Sequence, residues 1–74
     1  MSRLPRIRAT EAIAALRKVG FNVVRIKGSH HVLAHADGRM TVIPVHAGED
    51  LGPGLLRQIL RDADLTCDQF SGLL

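Results

Sequence analysis

Residues 21–45 read FNVVRIKGSHHVLAHADGRMTVIPV, and they decide the fold. Phe21 to Lys27 is rich in β-branched residues, with Val24 and Ile26 on one face of an extended chain and Arg25 and Lys27 on the other. Gly28-Ser29 ends that run. His31 to Ala36 is a second strand, and Asp37-Gly38 is a strong hairpin signal. Arg39 to Val45 is a third strand, in which Met40 and Val42 oppose Thr41 and Ile43. Pro44 has no N–H to give a ladder, so it marks a strand end or an edge. Three strands joined by two short turns make an antiparallel meander.

Helical patterns flank the meander. Upstream, Thr10 is expected to cap a helix running to about Val19, with Glu11 in the first turn where the helix dipole favours an anion. Ala12, Ile13, Leu16 and Val19 fall on one face, and Gly20 reads as the left-handed stop. Downstream, His46 to Asp50 is a loop and Pro53 suits the first position of a helix. Leu55, Leu56, Ile59, Leu60 and Ala63 form its apolar stripe. Thr66 with Gln69 fits a capping box for a short terminal helix over residues 66–72. The expected fold is therefore α+β, in the order α-β-β-β-α, with helices on one face of the sheet and the other face free for a ligand. No repeat or linker interrupts it. Residues 1–74 are read as one domain, with residues 1–8 as a basic N-terminal extension.

Composition narrows the function. Seventy-four residues exclude large catalytic folds. The aromatic residues are Phe21 and Phe70, too few for a platform on which bases of single-stranded nucleic acid stack. Cys67 is the single cysteine, which rules out an internal disulfide and a thiolate zinc site and makes the cytoplasm the default compartment. Its polar neighbours fit a half-buried helix position better than a nucleophile. No run approaches the ~18 apolar residues of a membrane helix. Charge is lopsided. Residues 1–27 hold seven basic side chains against Glu11, a net of +6, and residues 28–74 hold three against six acidic ones, a net of −3, together the +3 of the whole chain. A concentrated basic half fits an anionic partner such as RNA, and equally a solvated basic surface.

The histidines, at positions 30, 31, 35 and 46, carry the chemical question. His30 follows Lys27-Gly28-Ser29 at a strand turn. Gly28 permits a positive φ or close approach of a ligand, turn N–H groups can bind phosphate oxygens, and Lys27 adds a fixed charge. RNA brings its own nucleophile, the 2′-hydroxyl, so one imidazole base and charge stabilisation suffice for slow cleavage without metal or cofactor. The plain alternative is a common Gly-Ser turn beside a solvated histidine. His31 and His35 share a strand face that His30 does not, and surface roles are expected for both. Their rings would stand about 13 Å apart along a strand, too far for one metal ion even with His46.

The chain resembles the HicA toxins, small mRNA interferases of type II toxin–antitoxin systems. The resemblance rests on a first helix ending in Val19-Gly20-Phe21, on Arg25-Ile26-Lys27-Gly28-Ser29-His30-His31, on His35-Ala36-Asp37-Gly38-Arg39, on Val42-Ile43-Pro44-Val45-His46, and on Asp50-Leu51-Gly52-Pro53-Gly54 with the helix that follows. It spans about residues 10–66. It implies a double-stranded-RNA-binding-domain-like fold and a catalytic histidine at His30, with His31 as second choice. It also implies a role for Gly28 and a HicB-type antitoxin as partner. Phe21 is the aromatic that the family often has after the glycine; the departures are the aliphatic pair Val32-Leu33, where the family often has an aromatic in the second strand, and a longer basic leader. On this reading Arg25, Lys27, Gly28, Ser29 and Arg39 bind RNA. The competing classes are a non-catalytic RNA-binding module and, behind it, a partner-binding protein with a decayed site. A pure binder has no need of an imidazole beside Lys27 and Gly28.

Overall fold

Two turns set the sheet. Gly28, with φ of +59°, holds the first position of the two-residue turn that pairs Lys27 with His30, and an L side chain there would be strained. At the other end of β2, Gly38 takes φ of +101°, the Gly38 N–H donates to the His35 carbonyl, and the His35 N–H donates to the Arg39 carbonyl. The computed structural model describes residues 4–74. Met1, Ser2 and Arg3, the start of the expected extension, lie outside the described residues. The elements are α1 Ala9–Arg17, β1 Phe21–Lys27, β2 His30–His35, β3 Met40–Pro44, α2 Pro53–Ala63 and α3 Cys67–Ser71. The strands form one antiparallel sheet in the order β1-β2-β3, so Pro44 is both at a strand end and on an edge.

The two ends of β1 make conflicting demands. Phe21 and Val23 must face the helices, which pairs Val23 with Leu33. The turn at Gly28-Ser29 pairs Lys27 with His30. One residue too many lies between those pairs, and the strand absorbs it as a β-bulge at Val24: Val23 pairs with Leu33 and Arg25 with Val32.

The helices cover one sheet face. Phe21, Leu33 and Ile43 from the sheet meet Ala12, Ala15 and Leu16 from α1, Leu56, Ile59 and Ala63 from α2, and Phe70 from α3, all buried. Burying a side chain of the size of Leu16 or Phe70 contributes roughly 1.5–3 kcal/mol. Thr41, the buried polar residue of β3, donates its hydroxyl to Asp62 Oδ2 at 2.9 Å, and Gln58 Nε2 donates to Asp62 Oδ1 at 2.8 Å, so α2 is keyed to β3. Pro53 opens α2 as expected. Thr66 Oγ1 accepts the Gln69 N–H at 3.1 Å while Gln69 Oε1 accepts the Thr66 N–H at 2.8 Å, completing the expected capping box.

One expectation is corrected at the N-terminal end. Thr10 does not cap α1, because the helix starts at Ala9, two residues before a cap at Thr10 would start it. Arg8 stands at the cap, and its N–H donates to the Glu11 carboxylate at 3.1 Å. Residues 7 and 8 pack onto the domain. Ile7 is buried, its carbonyl accepts the Leu51 N–H at 2.8 Å, and Arg8 forms an isolated antiparallel bridge with Asp50. Cys67 is half-buried at the first position of α3.

Candidate functional site

The bulge decides what the open sheet face carries. In an unbroken strand starting with Phe21 inward, Arg25 and Lys27 would point at the helices. The extra residue at Val24 turns both outward, so Arg25 shares the open face with Val32, and Lys27 with His30. Cross-strand partners of this kind hold their Cβ atoms about 5 Å apart, so the Lys27 ammonium and the His30 ring reach the same small anion. Arg25, Lys27 and His30 are exposed, and no hydrogen bond or ion pair among the described residues engages their side chains.

The turn beneath them is fixed. The Ser29 carbonyl accepts the Val45 N–H at 2.7 Å and lies 3.3 Å from His31 Nδ1, which donates to it when that nitrogen carries the proton. Gly28, Ser29 and His30 are thereby tied to the exit of β3. His31 points to the helix side, opposite Ile43 and Ile26, and is partly buried. His30 and His31 thus lie on opposite faces and cannot serve one phosphate together.

His35 does not have the surface role expected of it. Its ring stands edge-on to Phe21, centroids 5.3 Å apart, and its Nδ1 accepts the Asp37 N–H at 3.0 Å. Arg39 lies at the same end of β2, about 17 Å along the strand from His30. Its Nε donates to both Asp37 carboxylate oxygens, at 2.9 and 3.1 Å, its Nη1 donates to the Ala63 carbonyl at 2.6 Å, and its guanidinium sits 5.1 Å over the Phe21 ring. The Arg39 backbone N–H, aided by the guanidinium, holds the Asp37 carboxyl below its ordinary range. The structure therefore brings together Arg25, Lys27, Gly28, Ser29 and His30, and sets Arg39 apart. His46 is exposed in the loop after β3, and among the described residues no three His, Cys, Asp or Glu side chains converge as a metal set.

The open face also carries apolar surface. Met40 and Val42 on β3 are 55% and 44% exposed, Val24 is exposed at the bulge, and Ile26, on the helix side of the sheet, is exposed at the β1 edge. Their signal was in the sequence, since Met40-Thr41-Val42-Ile43 is apolar on both faces and only Thr41 and Ile43 are buried. Cations beside a histidine, with aliphatic surface next to them, are suited to a polyanion and to a protein that competes for the same face.

The result is a basic α-β-β-β-α domain with one sheet face left open, and with His30, Arg25 and Lys27 on that face. A family model described as the HicA toxin of bacterial toxin–antitoxin systems matches residues 9–65. The chain belongs to the HicA toxin family, and that membership implies an antitoxin partner. No curated protein matches the chain in sequence. No helix among the described residues is long and apolar enough to cross a membrane.

Proposed function

We propose that the chain is an endoribonuclease toxin that cleaves mRNA in the cytoplasm and stops translation, with His30 as its catalytic residue and a HicB-type protein as its antitoxin. The observation that supports this reading is the pairing of His30 with Lys27 across the Gly28-Ser29 turn, on an exposed face and with both side chains uncommitted.

A phosphodiester enters between Lys27 and Arg25, with the turn backbone beside it. The His30 imidazole takes the proton of the 2′-hydroxyl. The 2′-oxygen bonds to phosphorus, the bond to the 5′-oxygen breaks, and water protonates the departing oxygen. The products are a 2′,3′-cyclic phosphate and a 5′-hydroxyl. Lys27 and Arg25 stabilise the extra charge of the phosphorane. A positioned general base contributes about 10²–10⁴-fold, which fits a slow enzyme without a metal. Arg39 is not among the RNA contacts we propose, because its Nε and Nη1 already engage Asp37 and the Ala63 carbonyl at the far end of β2. The antitoxin would inhibit most directly by covering His30, Arg25 and Lys27.

The test is cleavage of a labelled single-stranded RNA in the presence of EDTA. The expected result is cleavage by the native chain, and loss of at least about 10²-fold with His30→Ala while RNA binding persists. His31→Ala, which leaves the open face intact, retains cleavage. Activity that needs a divalent ion, or that survives His30→Ala, overturns the mechanism. RNA binding with no cleavage by the native chain supports the non-catalytic module.

A further inference from the structure

Three cations of the described chain gather away from the open sheet face. Arg57 and Arg61 stand four residues apart on α2, hence on one face of the helix, and Arg6 lies in the segment that the Leu51 N–H pins at Ile7. The three line a groove of about 840 Å³ together with Leu4, Leu60 and Leu65. All three arginines are exposed. No salt bridge among the described residues involves any of them, and their one side-chain partner there is the neutral Gln58 Oε1, 3.3 Å from Arg61 Nη1. Like charges at i and i+4 repel, and a third cation adds to the repulsion. An anion seated among them removes it.

The floor of the groove identifies the anion. Besides the arginines the lining is Leu4, Pro53, Leu60, Leu65 and Cys67, mostly aliphatic and with no aromatic ring on which a base could stack. A phosphate backbone has nothing to bury against leucine side chains. Carboxylates interleaved with aliphatic side chains match both the rim and the floor. The groove lies in the helical layer, whereas His30 projects from the opposite face of the sheet.

We propose that the Arg6–Arg57–Arg61 groove is a second docking surface, which takes an acidic segment with aliphatic anchors from the antitoxin. The proposal does not depend on the ribonuclease reading, since it needs only the protein partner that family membership implies. The groove leaves His30 uncovered, so a segment bound there anchors the partner without itself blocking the open face.

The probe is a capped peptide of alternating glutamate and leucine, titrated into the full ¹⁵N-labelled chain and followed by amide chemical shifts. Shifts are expected at Arg57, Leu60, Arg61 and Leu65 and not at residues 27–30. The double variant Arg57→Gln/Arg61→Gln should weaken binding about tenfold, a loss of roughly 1.4 kcal/mol. A peptide with serine in place of leucine should bind the native chain more weakly than its parent, and this comparison decides the matter even if the double variant fails to fold. Peptide shifts confined to residues 25–30, no binding, or equal binding of the serine peptide overturn the proposal. So does a single-stranded RNA oligonucleotide that shifts the groove in preference to the peptide, which would make it a nucleic-acid surface.

Discussion

Arg39 joins three parts of the chain: the β2–β3 turn through Asp37, the end of α2 through the Ala63 carbonyl, and the core through the Phe21 ring. The last two contacts are worth about 1–2 kcal/mol together. Arg39→Gln should therefore lower stability by about that amount and leave RNA affinity unchanged, as read from urea unfolding and from filter binding. Its carboxylate partner supplies a pH signature. Folding lowers the Asp37 pKa, so its contribution is complete above the ordinary carboxylate value near 4 and is lost as pH falls through the folded value. Native stability should fall over that acid range more steeply than stability of Arg39→Gln. Equal slopes would remove the Arg39 guanidinium as a cause and leave the backbone N–H of residue 39, which the substitution keeps. This role was not legible in the sequence, because Ala63 lies 24 residues away and an arginine beside Asp37-Gly38 looks the same whether it faces RNA or a helix end. The placement of His30 opposite to His31, by contrast, was legible from its immediate neighbours, because a Gly-Ser turn fixes where the next residue points.

At the scale of elements, each strand and helix followed from local pattern, and the misjudged details came from competition between neighbours. The bulge at Val24 is the main case. Each end of β1 reads correctly by itself, but its phase is set by Phe21 at one end and by the Gly28-Ser29 turn at the other, and only the two together demand an extra residue. The start of α1 is the second. Thr10 is a good cap by type, yet the bridge between Arg8 and Asp50 and the burial of Ile7 hold the chain so that the helix begins at Ala9. The two caps give opposite predictions. Glu11→Ala removes the acceptor of the Arg8 N–H and an anion from the first turn, and should cost about 0.5–1 kcal/mol. Thr10→Ala replaces an exposed helix residue with a better helix former and should be neutral or stabilising by a few tenths of a kcal/mol. Urea midpoints of the two variants separate the assignments. If Thr10→Ala is the destabilising one, the helix starts where the sequence pattern put it.

For the whole molecule, the fold sends basic side chains that lie close together in residues 1–27 to different surfaces. Arg25 and Lys27 go to the open face with His30, and Arg6 joins Arg57 and Arg61, from the net-acidic half, in the helical layer. No count along the chain could show that division, because it depends on the bulge and on the packing of α2 against β3. It does determine which charges an RNA strand should feel. Each phosphate neutralised by a protein cation releases condensed counterions, so the log–log salt dependence of binding to a single strand changes by about 0.7 per contact. Lys27→Ala should therefore weaken RNA binding and flatten that slope by about 0.7, as a cation on the open face must. Arg57→Gln should leave the slope unaltered, although it removes the same formal charge from the same small protein. Net charge alone predicts equal effects for the two substitutions, because each removes one positive charge. A slope that falls for Lys27→Ala and stays fixed for Arg57→Gln assigns RNA to the sheet face and leaves the groove to another partner. A slope that falls equally for both means that the strand wraps the domain, and the division of surfaces is then wrong.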